Sequence, residues 1–275
     1  MKLLRLIKKD LIKIFTNAGL LIGIALGVAL VLFANIYTDG TGKGYYTITA
    51  LSTFSKSEMI DNGMYSENLM SMILIQALPI YGVVIAAFAT TLALSGENNN
   101  SMRQFTVTRS GKNTYVLSKA LVTMFASAIV FAVIGIVTML ICKIGFPSRP
   151  RELSYSKFGY VQCIAGITWY GAMMGGMAYL CSAFFSNIYL KLCFPFFVGY
   201  LHYVIANIGL NKAVMGNTKF ADAILNSGYV DYFTNYYRLP ASYLVRNILI
   251  FLGVWILAIL INRLQLEKIH REGDI

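Results

Sequence analysis

Residues 117–141 read LSKALVTMFASAIVFAVIGIVTMLI. After Lys119 the stretch holds no charged residue, and its apolar residues fall on every side of a helix rather than along one stripe. A bilayer core takes about 20 such residues per helical crossing. A helix tolerates that environment because it satisfies its own backbone hydrogen bonds. The reading predicts a transmembrane helix here, and comparable runs return at residues 20–37, 69–94, 160–185, 190–208 and 247–262. The expected fold is an all-α polytopic membrane protein with six transmembrane helices. The spans nearly fill the chain, so residues 1–275 are expected to form a single membrane domain.

Composition agrees. Of 275 residues, 57% are hydrophobic and 13% charged, where a soluble domain carries about a quarter charged. Mean hydropathy is +0.64. The net charge of +11 fits the anionic inner leaflet better than nucleic acid, because no basic, aromatic-interleaved soluble surface is left to carry such binding.

With the N-terminus in the cytoplasm, one side collects Lys2, Arg5, Lys8, Lys9, Lys13, Arg103, Arg109, Lys112, Lys119, Lys191, Arg263, Lys268 and Arg271. The acids there are Asp10, Glu97, Glu267, Glu272 and Asp274. The other side is closer to balance, and its first loop holds Asp39, Glu58, Asp61 and Glu67 against Lys43 and Lys56. The positive-inside bias therefore predicts both termini in the cytoplasm. Leu3, Leu4, Ile7, Leu11 and Ile14 recur at helical spacing, and most of the lysines lie elsewhere around the helix. That predicts an interfacial amphipathic helix over about residues 2–17. The segment precedes the first long run without a clear cleavage site near Ala34, so it is not read as a cleavable signal peptide.

Gly19, Gly23 and Gly27 in span one, and Gly171 and Gly175 in span four, stand four residues apart and predict close helix packing, within or between protomers. Pro79 and Pro195 should kink spans two and five. The first outer segment, residues 38–68, has room for a short surface helix. The second, residues 209–246, carries Tyr229, Tyr232, Tyr236, Tyr237 and Tyr243, which suits either an aromatic belt or a surface for an amphiphilic substrate. Cys142 and Cys163 fall near the outer ends of their helices, where either a disulfide or two buried apolar thiols fits.

Some chemistry is not expected. Within the drawn spans the only charges are Lys119 and Lys191, at the cytoplasmic starts of spans three and five. Ion-coupled carriers and intramembrane hydrolases need acids, bases or metal ligands in mid-membrane. The sequence has no His-Glu-x-x-His motif and two histidines in all, so no metal site and no catalytic residue is expected. Two lookalikes of a phosphate-binding loop fail. Gly42-Lys43-Gly44 has Tyr37 at the earlier glycine position and Gly44 at the hydroxyl position. Gly111-Lys112-Asn113 has Thr106 and Asn113 there. Intramembrane His202, together with Gln76 and Tyr236, is assigned to a substrate path.

The loop after span two runs SGENNNSMRQFTVTRSGKNTYVLSK from Ser95 to Lys119. Asn98, Asn99, Asn100 and Ser101 are N-cap residue types, and Met102, Phe105 and Val107 suggest a partly apolar face beside Arg103 and Arg109. A short helix here would offer a soluble partner one aromatic anchor and a few cations. An N-terminal amphipathic helix, six spans and this inner loop together resemble the permease subunit of type-2 ABC exporters. The resemblance covers nearly the whole chain in topology, through a short and degenerate motif. It implies an acidic position at Glu97, a cytoplasmic coupling helix over about residues 103–108, a basic stretch to Lys112 and a Ser118-Lys119 start of span three. Val107-Thr108 replaces the family's usual leucine-proline, and the outer loops are small. The resemblance further implies contact with a cytosolic ATPase through Glu97, Met102, Arg103, Phe105, Arg109 and Lys112. ATP and Mg would be held by that ATPase, and a second permease copy or related permease would pair with this chain. The expected function is export of a peptide, antibiotic or lipid-like amphiphile, for efflux or self-immunity, by a subunit that is not itself an enzyme. The alternative is a membrane scaffold, immunity or sensor subunit that does no transport.

Overall fold

The structure, a computed structural model, describes residues 2–95, 100–148, 159–185, 187–214 and 241–272. The described elements are α1 (Lys2–Phe15), α2 (Ala18–Leu32), β1 (Asn35–Thr38), β2 (Gly44–Tyr46), α3 (Thr47–Thr53), α4 (Lys56–Asp61), α5 (Ser66–Ser95), α6 (Asn100–Ser110), α7 (Lys112–Gly145), α8 (Gly159–Ala183), α9 (Ile188–Val214) and α10 (Ala241–Glu272). The fold is mostly helical. Among the described residues, Lys112–Gly145 and Ile248–Lys268 are each long and apolar enough to cross a membrane. The pair α1 and α2, bent by 58° at its break, makes a third candidate, and shorter apolar helices run at Tyr81–Thr91 and Ile188–Leu201. Large apolar side chains also cover the outside of the bundle, among them Phe125, Ile129, Ile136 and Leu140 on α7 and Leu249, Leu252, Ile256 and Leu260 on α10. Such an exterior suits lipid rather than water, and the chain is a helical membrane protein.

Glycines let the helices approach. A Cβ on Gly171 would stand 2.5 Å from Phe131, and one on Gly175 would stand 2.6 Å from the Ser127 hydroxyl, both on α7. Gly135 returns the contact from α7, since its Cβ would meet Ile167 of α8 at 2.8 Å. Gly23 lies against the Ile85 carbonyl of α5, and Gly27 lies against Ile134 of α7. The small-residue faces of α2 and α8 are therefore used inside one chain. Helix α5 continues through Pro79 and α9 through Pro195.

The first predicted span ends early. Residues 33–37 leave the helix, and Asn35–Thr38 form a strand pairing antiparallel with Gly44–Tyr46. The turn explains this. Asp39 Oδ1 accepts hydrogen bonds from the Thr41 and Lys43 amides, each at 2.9 Å, and from the Thr41 hydroxyl at 2.6 Å. This local bonding offers the backbone a better arrangement than another helical turn. Two short helices follow where one was expected, and α4 begins with a capping box between Ser55 and Glu58. Together these elements cap one end of the bundle. Tyr37, Tyr45 and Phe54 form an aromatic cluster with ring centroids 4.9–6.0 Å apart. The cap is tied down where the Thr47 amide donates to the Ala34 carbonyl and the Ser66 amide to the Pro147 carbonyl. No disulfide joins the cysteines. Cys142, Cys163 and Cys181 are buried, and Cys193 is exposed.

Candidate functional site

The opposite end of the bundle gathers α1, α6, the start of α7 and the end of α10. The connection begins with Gly111, the N-cap of α7, at φ +89°. An L side chain is strained in that conformation, so glycine permits the break that separates α6 from α7. The Gly111 amide closes α6 onto the Val107 carbonyl at 2.8 Å.

Val107 is only 7% exposed and packs with Tyr115 and Val116 of α7 and Leu266 of α10, flanked by Leu6 of α1 and Ile259. Phe105, two residues earlier and so on the opposite side of the helix, is 67% exposed. This corrects the expectation of a shared apolar face: Val107 anchors α6 to the bundle, and Phe105 points away from it. Arg109 is exposed and Lys112 partly so. Helix α6 runs from Asn100 to Ser110, longer than the expected 103–108. Met102 and Arg103 lie on it, and Glu97 lies outside the described residues.

Beside this cluster is a buried ion pair that the sequence did not announce. Lys119 Nζ donates to Asp10 Oδ1 at 2.8 Å, with side-chain exposures of 5% and 0%. The ammonium also stands 5.2 Å from the centre of the Tyr115 ring. Lys191 at the start of α9 is buried as well. The pair fixes α1 to α7. A signal for it exists in the sequence: Ile7, Asp10 and Ile14 share one face, which places an acid inside an apolar stripe. A buried acid needs a buried cation.

Further hydrogen bonds join the helices at this end. The Tyr179 hydroxyl of α8 reaches the Val116 carbonyl at 3.3 Å, and Asn262 of α10 donates to the carbonyls of Tyr179 and Ala258 at 3.0 and 2.9 Å. Helix α6 is held against α7, α10 and α1 by a few apolar residues, and Phe105 projects away from them.

The expected substrate-path residues are placed only in part. Gln76 lies on α5 and His202 on α9, helices that pack side by side with Tyr81 and Phe196 at 6.2 Å between ring centroids. Tyr236 lies outside the described residues. Among the described residues no group of three or more His, Cys, Asp or Glu side chains could hold a metal ion. In comparisons with known proteins, no family model matches the chain and no curated protein sequence matches it either.

Proposed function

We propose that this chain is the permease subunit of an ATP-driven exporter of the type-2 ABC class. The observation that carries the reading is α6: a short helix between two long apolar helices, anchored by Val107 and presenting Phe105 and Arg109 outward. In this reading α2, α5, α7, α8, α9 and α10 cross the cytoplasmic membrane of a bacterium, with α1, α6 and both termini inside. A cytosolic ATPase binds Mg and ATP and docks on α6. Its closure moves α6, and the movement passes through the Val107 cluster to α7. A second permease, identical or related, completes the path, and the substrate is a peptide, an antibiotic or a lipid-like amphiphile.

The test is purification of the tagged chain from its native membrane in mild detergent, followed by an ATPase assay. The reading expects a stoichiometric soluble ATPase that is lost when residues 97–112 are replaced by a neutral linker. It also expects Phe105→Ala and Arg103→Ala to cut transport-coupled ATP hydrolysis about tenfold, the scale of one lost interface anchor. Recovery of the chain with no ATPase would sink this reading in favour of a scaffold or immunity subunit.

A further inference from the structure

Helix α1 carries three stripes. Ile7, Asp10 and Ile14 face the bundle, and Ile14 and Asp10 are fully buried there. Leu4, Ile12 and Phe15 remain 72%, 55% and 50% exposed, although they are apolar and share a helix that already packs on the bundle. With Lys8, and with Ile7 and Leu11 at the edge that packs on the bundle, they line a shallow groove along α1. The third stripe holds Arg5 and Lys9, both exposed, and exposed Lys8 stands within the apolar strip, one turn from both Leu4 and Ile12.

Charge separates these faces. Asp10 is the one acid of α1, and Lys119 holds it inside the protein. The outward surface of the helix therefore keeps its cations and shows no acid. Among the described residues no carboxylate pairs with Arg5, Lys8 or Lys9. An apolar strip bordered by such cations fits a molecule with an apolar body and an anionic head. The 58° bend at Thr16–Asn17, fixed by the Asn17 side chain accepting from the Gly19 amide at 2.8 Å, tilts α1 away from the line of α2. The strip can then lie along a membrane surface instead of crossing it.

We propose that the outer face of α1 is a docking surface for anionic phospholipid, with the acyl and glycerol region against Leu4, Ile12 and Phe15 and the headgroup phosphate against Arg5, Lys8 and Lys9. The ion pair to Lys119 makes the bound lipid a neighbour of α7, so headgroup charge can bias the end of the bundle that carries α6. The docking does not depend on an ATPase partner.

The full-length chain, purified in mild detergent, is offered equal amounts of phosphatidylglycerol and phosphatidylcholine, and retained lipid is read by native mass spectrometry. Phosphatidylglycerol is expected in excess, because each cation at an anionic surface favours it about fivefold. The exposed triple change Arg5→Gln, Lys8→Gln and Lys9→Gln lowers that excess by up to about a hundredfold, on the same scale. Lys43→Gln with Lys56→Gln, in the cap, leaves it unchanged. In nanodiscs, phosphatidylglycerol slows amide hydrogen exchange over residues 2–15, and inorganic phosphate added to phosphatidylcholine discs does not. Equal retention of the two lipids overturns the proposal. So does an excess that survives the triple change, or protection by inorganic phosphate alone.

Discussion

Lys119 and Asp10 show how much one buried contact can decide. Removing one partner leaves a charge without compensation in a site that excludes water, a loss of about 3–5 kcal/mol. Lys119→Met and Asp10→Leu are each expected to lower the melting temperature in detergent sharply. The double change Asp10→Leu with Lys119→Met recovers most of the loss, because an apolar pair of similar volume has no charge to desolvate. Differential scanning fluorimetry of the four proteins measures the coupling. At the cap, hydrogen bonds to the ionised carboxylates govern the pH response. The Thr41 hydroxyl and the Lys43 amide hold Asp39 below the usual carboxylate range, and the Ser55 amide and hydroxyl do the same for Glu58. A depressed folded-state pKa contributes stability that is fully present above about pH 4 and is lost as pH falls through the lowered value. The cap is therefore expected to loosen in acid, and Asp39→Asn with Glu58→Gln to flatten the acid side of a melting-temperature profile.

Among the elements, α6 separates anchoring from presentation. Val107→Asp puts a carboxylate into a small apolar cluster and is expected to destabilise the α6 end by about 2–4 kcal/mol, seen as faster hydrogen exchange over residues 100–118. Phe105→Ser changes an exposed position and leaves melting within about 0.5 kcal/mol of the original. The helices differ in how legible they were. Span two was expected at residues 69–94 and α5 runs Ser66–Ser95, because a long apolar run fixes both type and length. Helix α7 begins at Lys112, ahead of the expected 117, since contacts of Tyr115 and Val116 with Val107 and Leu266 hold its first turns. Hydropathy does not record such contacts. Residues 33–37 misled for the opposite reason. They are apolar enough for a helix, but Asp39 and the glycines after it dictate a hairpin, and periodicity cannot tell a short apolar strand from a helix end. The Asp10–Lys119 pair is half legible: Asp10 stands out in its apolar stripe, but nothing in the sequence marks which cation, 109 residues on, meets it.

For the molecule as a whole, packing density between α7 and α8 sets stability. Gly175→Val has no space beside Ser127 and Thr123, and overpacking of this kind costs about 1–3 kcal/mol. The same change at Gly253, where a Cβ meets nothing within 4 Å, is expected to leave melting almost untouched. Membrane character and helix succession could be read from the sequence because lipid imposes one rule on every span. The opposite directions of Phe105 and Val107 on α6 could not, since the two look alike in sequence and only the fold separates them.

The Asp10–Lys119 bond closes a loop of 109 residues, and this has a consequence in time. A ribosome adds about 5–20 residues per second. The acid of α1 is thus made roughly 5–20 s before the lysine that neutralises it. Through that interval α1 can rest only on α2 and α5, without its larger berth on α7, and its final docking is expected to come late in assembly. A nascent chain halted before residue 119 should still surrender α1 to added protease, and one released beyond α7 should protect it.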